Sequence, residues 1–120
     1  MYWKDLDIWK KSHDLVISIY EVIIRFPDSE KYALSSQLKR AAYSIPANIV
    51  EGHSRKSTKE FIQFLFHARG SLEELRYFVL LSKDLNYLSK QSYHNIEEKA
   101  VIISKMLNSL ISSLKKRLTS

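Results

Sequence analysis

"RAAYSIPANIVEG", residues 40–52, lies where the hydrophobic pattern calls for an unbroken helix, yet it holds a proline and the small residues Ala41, Ala42, Ser44 and Ala47. Apolar bulk is plentiful elsewhere in the chain, so small side chains here need a local cause. Pro46 has no N–H to give the Ala42 carbonyl, and its ring presses on that carbonyl, which kinks or breaks a helix. Leu38, Ala41, Ile45 and Ile49 keep helical phase across the proline, which favours one kinked helix over two separate ones. The small residues then let a neighbouring backbone approach. Gly70, in "HARGSLEEL", is the matching oddity, because a glycine inside a helix costs about 1 kcal/mol relative to Ala. The expectation is a small-against-small contact between the second and third helices, which Gly70→Leu would force apart.

Three more helical segments surround this one. The first runs from about Asp5 to Phe26 and stops at "FPDS". It carries two apolar lines, Trp9, His13, Val16, Tyr20 and Ile23, and Ile8, Leu15, Ile19, Val22 and Phe26, which together span a wider arc than one bundle face needs. The second helix is expected from near Ser29 to Gly52, with Leu34, Leu38, Ala41, Ile45 and Ile49 as its core line. The third opens at "STKE", a capping box with Ser57 as N-cap and Glu60 reaching back. Its core line is Phe61, Leu65, Ala68, Leu72, Leu75 and Val79, ending near Asn86. The fourth starts around Ser89 and places Ile96, Ala100, Ile103, Leu107, Leu110 and Leu114 inward, with Ile102, Met106 and Ile111 left outside.

Only two glycines and two prolines occur in 120 residues, too few for the turns of a β-sandwich. The expected fold class is therefore all-α: a single domain, residues 1–120, forming an up-down-up-down antiparallel four-helix bundle with its second helix kinked at Pro46. Surplus apolar residues on the first and fourth helices call for self-association. There is no cysteine, so disulfides and thiolate metal sites are excluded. No signal-peptide pattern and no membrane-length apolar run is present, and a cytoplasmic protein is expected.

Net charge is +6, and it is unevenly spread. Residues 39–59 hold Lys39, Arg40, Arg55, Lys56 and Lys59 against Glu51 alone, while residues 99–120 hold Lys99, Lys105, Lys115, Lys116 and Arg117 with no acid. Such zones suit a polyanion; a basic face kept for solubility is the alternative. His53, Arg55, Lys56 and Lys59 fall on the turn before the third helix and on its first residues, where free N–H groups and the helix dipole favour phosphate. Lys39 and Tyr43 lie one turn apart and offer a charge and a stacking ring. The candidate nucleic-acid-binding set is thus Lys39, Arg40, Tyr43, His53, Arg55, Lys56, Lys59, Lys115, Lys116 and Arg117. Gln37, Arg40, Ser44, Asn48 and Glu51 form a polar stripe beside the core line of the second helix. It either satisfies backbone and pairing needs near the kink or is a ligand surface.

No catalytic constellation is expected. His13, His53, His67 and His94 show no i,i+4 pair for a helical metal site, and His13, on an apolar line, reads as a core or interface histidine. Gly70-Ser71 lacks the frame of a nucleophile elbow. Glu73 and Glu74 are adjacent on a helix and diverge by about 100°. The chain reads as no enzyme, with no cofactor and no metal.

"WKDLDIWKKSHDLVISIY", "QLKRAAYSIPANIVEG", "STKEFIQFLFHARGSLEELRYFV" and "ISKMLNSLISSL" together resemble the small four-helix-bundle proteins encoded in intervening sequences of bacterial 23S ribosomal RNA genes. The most specific residues are Ser44 to Ile49 with Glu51-Gly52, followed by Gly70 to Leu75; Val50 stands where that family usually has Ala. The resemblance implies a bundle assembled as a pentameric ring, and a distant relationship to the accessory proteins of diversity-generating retroelements, which bind nucleic acid and a reverse transcriptase. It supplies no biochemical activity, and the family's tie to ribosomal RNA is one of gene location. Two functions follow as expectations. The first is a non-enzymatic homo-oligomer that binds RNA or DNA through a basic rim. The second is a protein-protein scaffold or accessory subunit for a partner such as a polymerase.

Overall fold

The computed structural model describes residues 2–119; Met1 and Ser120, part of the expected 1–120 domain, lie outside the described residues. Four α-helices, α1 (Asp7–Ile23), α2 (Leu34–His53), α3 (Thr58–Asp84) and α4 (Lys90–Thr119), are joined by short connections, with 3-10 turns at Trp3–Asp5 and Asp28–Glu30. Each helix packs on two others in the closed order α1, α2, α3, α4 and back to α1, and diagonal helices do not touch at backbone level. That is a four-helix bundle. Its long dimension is 50 Å, close to the ~45 Å of a 30-residue helix such as α4. Among the described residues no helix is long and apolar enough to cross a membrane.

The core line expected of α2 is buried throughout: Leu34, Leu38, Ala41, Ile45 and Ile49. α2 itself begins at Leu34, not near Ser29, because residues 28–30 form a separate 3-10 turn after Pro27. Glu30 holds the junction. Its Oε1 accepts the Leu34 N–H at 3.3 Å and its Oε2 accepts the Tyr87 hydroxyl at 3.1 Å, tying the start of α2 to the α3–α4 turn. That turn depends on Asn86 at φ 66°, a left-handed residue after a helix end. The Tyr87 N–H then reaches back to the Ser82 carbonyl at 2.9 Å.

α1 ends at Ile23, three residues short of the expected Phe26; its inward line is Ile8, Leu15 and Ile19, joined by Val16 and Ile23, and Phe26 is buried just past its end. His13 is exposed and stacked on Trp9, with ring centroids 5.0 Å apart, so it is not a core histidine; Tyr20 also faces outward. α3 buries Ile62 where Phe61 was expected, and α4 buries Ile111 where Leu110 was expected; Phe61 and Leu110 are half-buried. In each case the inward line is one residue further along, a rotation of about 100° at the helix end. Two hydroxyls deep in the bundle, Ser12 and Ser82, donate at 2.7 Å to the carbonyls four residues back, Ile8 and Phe78, so neither is left unsatisfied.

The expected tight glycine is the wrong one. Gly70 is exposed, and a Cβ there would meet nothing within 4 Å. Gly52 is buried, and a Cβ there would lie 2.6 Å from Phe64 Cβ and 2.9 Å from Phe61 Cδ1. Helices α2 and α3 do come close, but through Gly52 against the phenylalanines and through Ser44 Oγ, 2.8 Å from Ser71 Oγ. Gly70 lies one residue before Ser71 and so points about 100° away from the seam.

Gly52→Ala is therefore expected to destabilise by the ~1–3 kcal/mol of overpacking, whereas Gly70→Ala should stabilise by up to about 1 kcal/mol. Urea denaturation of both variants checks the pair, and equal midpoints would contradict the packing described. A pH effect follows from Tyr87, whose pKa is raised by its hydrogen bond to Glu30 and further by desolvation and the nearby charge. Because the folded value lies above the unfolded one, this contribution is fully present below pH ~10 and is lost as pH rises through the raised value. The parent's denaturation midpoint should fall more steeply than that of Tyr87→Phe across that range; parallel curves would mean that Tyr87 does not carry the effect.

Candidate nucleic-acid interface

Cross-helix contacts fix where the basic residues gather. Gly52, near the end of α2, meets Phe61 and Phe64 in the first turns of α3. Phe66, one turn on, carries the Lys115 ammonium of α4 at 5.0 Å from its ring centroid. The α2–α3 turn and the last turns of α4, over 50 residues apart in sequence, therefore share one end of the bundle. Arg55, Lys56, Lys59, Lys115, Lys116 and Arg117 are all exposed there, and neither residues 52–59 nor 99–119 contain an acid.

The members of this rim differ in how free they are. Arg55 pairs with Glu51 at 2.7 Å and lies over the Phe64 ring at 5.0 Å. The pair is exposed, so it holds the side chain in place at a worth of only some tenths of a kcal/mol. No ion pair engages Lys56, Lys59, Lys115 or Lys116 among the described residues. His53 is half-buried, edge-on to Phe61 at 5.7 Å, and is better placed to support the turn than to meet a ligand. Ser57 caps α3 as expected, its Oγ accepting the Glu60 N–H at 3.0 Å, which uses one of the donors at this helix start.

Lys39, Arg40 and Tyr43 do not join the rim. They lie 12–16 residues before Arg55, most of that distance along α2, or roughly 18–24 Å along the axis. Lys39 sits over the Tyr20 ring at 5.5 Å, and Arg40 and Tyr43 are exposed on that flank. The polar stripe also divides. Ser44 bonds to Ser71, and the Asn48 amide donates to the Ser44 carbonyl at 2.7 Å and the Ser44 Oγ at 3.0 Å. These two are occupied at the α2–α3 seam, while Gln37, Arg40 and Glu51 face solvent.

Arg69 and Phe66 stand beside Lys115 and are absent from the expected set. The Arg69 guanidinium lies over the same Phe66 ring at 4.8 Å, and its Nη1 donates to Asn108 Oδ1 at 3.0 Å. The i,i+3 spacing of Phe66 and Arg69 in "FLFHARG" was the available signal. By contrast Arg76, seven residues on, is consumed by structure. Its Nε donates to Glu97 at 3.0 Å and its Nη1 to Glu73 at 3.0 Å, and the Glu97 hydrogen bond raises its pKa against a lesser opposing effect of burial. The four histidines sit apart, each beside a different aromatic ring: His13 on Trp9, His53 by Phe61, His67 by Phe64 and His94 by Tyr93.

A family model described as 23S rRNA-intervening sequence protein matches residues 4–109. Among solved structures, the chain is similar to a protein of unknown function of the S23 ribosomal protein family from Bacteroides thetaiotaomicron. The two share 27% identity with a TM-score of 0.78, and the match covers 87% of this chain and 97% of the other. No curated protein matches the chain.

Proposed function

The chain belongs to the 23S rRNA-intervening sequence protein family, and from that premise we propose that it is a non-enzymatic nucleic-acid-binding protein that works in the cytoplasm as a homo-oligomer. Its favoured ligand is RNA, held by phosphate contacts from the basic rim. One observation carries the reading: two basic segments far apart in sequence lie at the same end of the bundle, on either side of the start of α3, with Glu51, paired to Arg55, the one acid in them. Phosphate contacts of this kind bind with little base readout. Repetition of the rim around an assembly would multiply a modest patch. Self-association is supported by the apolar side chains left on the surface along α1 and at its C-cap, Ile17 at 46%, Tyr20 at 41% and Ile24 at 82% exposure, and by Ile102 on α4. The pentamer is the number that the family resemblance implies.

Fluorescence anisotropy with structured RNA and with duplex DNA, over a range of salt, tests the ligand. Replacing Arg55, Lys56 and Lys59 together by Ala should weaken binding and flatten the salt dependence, by about 0.7–0.9 in log K against log salt for each phosphate that is no longer neutralised. Lys31, Lys83 and Lys90, at the opposite end of the bundle, are the control set and should leave the slope unchanged. A parent protein that binds no nucleic acid at low salt, or equal weakening in both sets, overturns the reading in favour of a protein-binding scaffold. Light scattering on the 14.1 kDa chain should return the mass of an oligomer in the parent and a smaller species in Ile17→Glu and Ile24→Glu; a monomeric parent at micromolar concentration rules out assembly.

A further inference from the structure

A shallow, open cleft of about 420 Å³ lies between α3 and the last turns of α4, and its lining includes Arg69, Asn108, Ile111, Ser112, Lys115 and Lys116. Three of these are cations and none is an acid. Arg69 and Lys115 both sit within 5.0 Å of one ring, that of Phe66, so two like charges share one aromatic support, with no carboxylate among the residues that line the cleft. The contrast with Arg76 gives this arrangement its meaning. Arg69 and Arg76 are one heptad apart on α3, and both reach across to α4. Arg76 meets Glu97 and is neutralised, whereas Arg69 meets Asn108, a neutral acceptor that orients a guanidinium without cancelling its charge. Only Nη1 of Arg69 is engaged by Asn108, which leaves Nε and Nη2 as donors in the planar fork suited to a phosphate. Stacking on Phe66 holds that fork in place before any ligand arrives.

We propose that this α3–α4 cleft is a phosphate-binding site in which Arg69 is the principal donor, Lys115 and Lys116 supply the remaining positive charge, and Asn108 and Phe66 are positioning residues. The shared chemistry is a phosphate group. Its source as the backbone of a nucleic acid rests on the function proposed above, while the site's preference for phosphate does not. Ser112, exposed at the cleft, offers a hydroxyl donor beside the three cations.

Asn108→Asp is the decisive variant, since it gives Arg69 the kind of partner that Arg76 already has and should leave the melting temperature at or above the parent's. Two readouts are needed: the Arg69 Nε NMR signal titrated with inorganic pyrophosphate, and RNA anisotropy. Pyrophosphate should move the Arg69 signal in the parent and in the Arg55, Lys56, Lys59 triple variant, and should fail to do so in Asn108→Asp. RNA affinity in Asn108→Asp and Arg69→Gln should fall about tenfold or more, as expected for one charged contact, and the salt slope should drop by about 0.7–0.9. An Arg69 signal unmoved by millimolar pyrophosphate, or RNA affinity unchanged in both variants, overturns the site. If RNA binds and only the triple variant fails to hold it, the cleft fails and the nucleic-acid reading stands. If pyrophosphate moves Arg69 but no nucleic acid binds the parent, the site stands, its phosphate comes from a small molecule, and the nucleic-acid reading fails.

Discussion

The seam between α2 and α3 is the constraint on which the rest of the molecule depends. Gly52 leaves no room for a Cβ beside Phe64, Ser44 and Ser71 touch through their hydroxyls, and Ala41 and Ala42 are almost wholly buried. Bulk at Gly52 or Ser44 would hold the two backbones apart, whereas small side chains let the phenylalanines of α3 close directly over the end of α2. Asn48 adds a side-chain bond to the Ser44 carbonyl, within a turn of Pro46, whose missing N–H takes one donor from the ladder at the Ala42 carbonyl. Once the end of α2 is pinned to Phe61 and Phe64, the connecting turn has only four residues to cross, and its Arg55 and Lys56 are turned outward.

The opposite end is held by a different device. Glu30 joins the first turn of α2 to Tyr87, and Phe26 packs against the same tyrosine at 5.5 Å. Between the two ends, polar crosslinks set the register of α4. Lys99 reaches Asp14 at 2.9 Å and Ser18 at 2.7 Å on α1, while Glu97 takes Arg76 of α3. These contacts are partly exposed and each is worth little in stability. Their effect is positional: a slip of α4 by one turn would misalign all of them and carry Lys115 away from Phe66.

Much of this was legible in the sequence because it rests on periodicity. The inward line of α2 holds at every expected position from Leu34 to Ile49, and the Ser57 cap is announced by its own four residues. The errors fall where periodicity has no authority. Near helix ends a one-residue shift changes which neighbour faces the core, as with Phe61 and Ile62 or Leu110 and Ile111. A glycine in a helix signals that a Cβ is absent, and its spacing does not tell whether packing forbids one; that was true of Gly52 and false of Gly70. His13 shares a phase with Val16 but lies toward the edge of the buried arc, where it stacks on Trp9 in the open.

The candidate site was legible only as charge. Runs such as residues 55–59 and 115–117 can be read as basic, but whether they share one end of the bundle depends on how α2, α3 and α4 are clamped. Nor does charge alone identify the members. Arg69 and Arg76 are the same residue type at the same heptad position, and they differ in surroundings because α4 answers one with Asn108 and the other with Glu97. A carboxylate opposite an arginine closes a helix pair; an amide in that place orients the guanidinium and leaves its charge available. The chemistry of the surface is therefore decided by the partner helix, some 21 to 39 residues away in sequence, and it becomes visible once the bundle has set the two helices side by side.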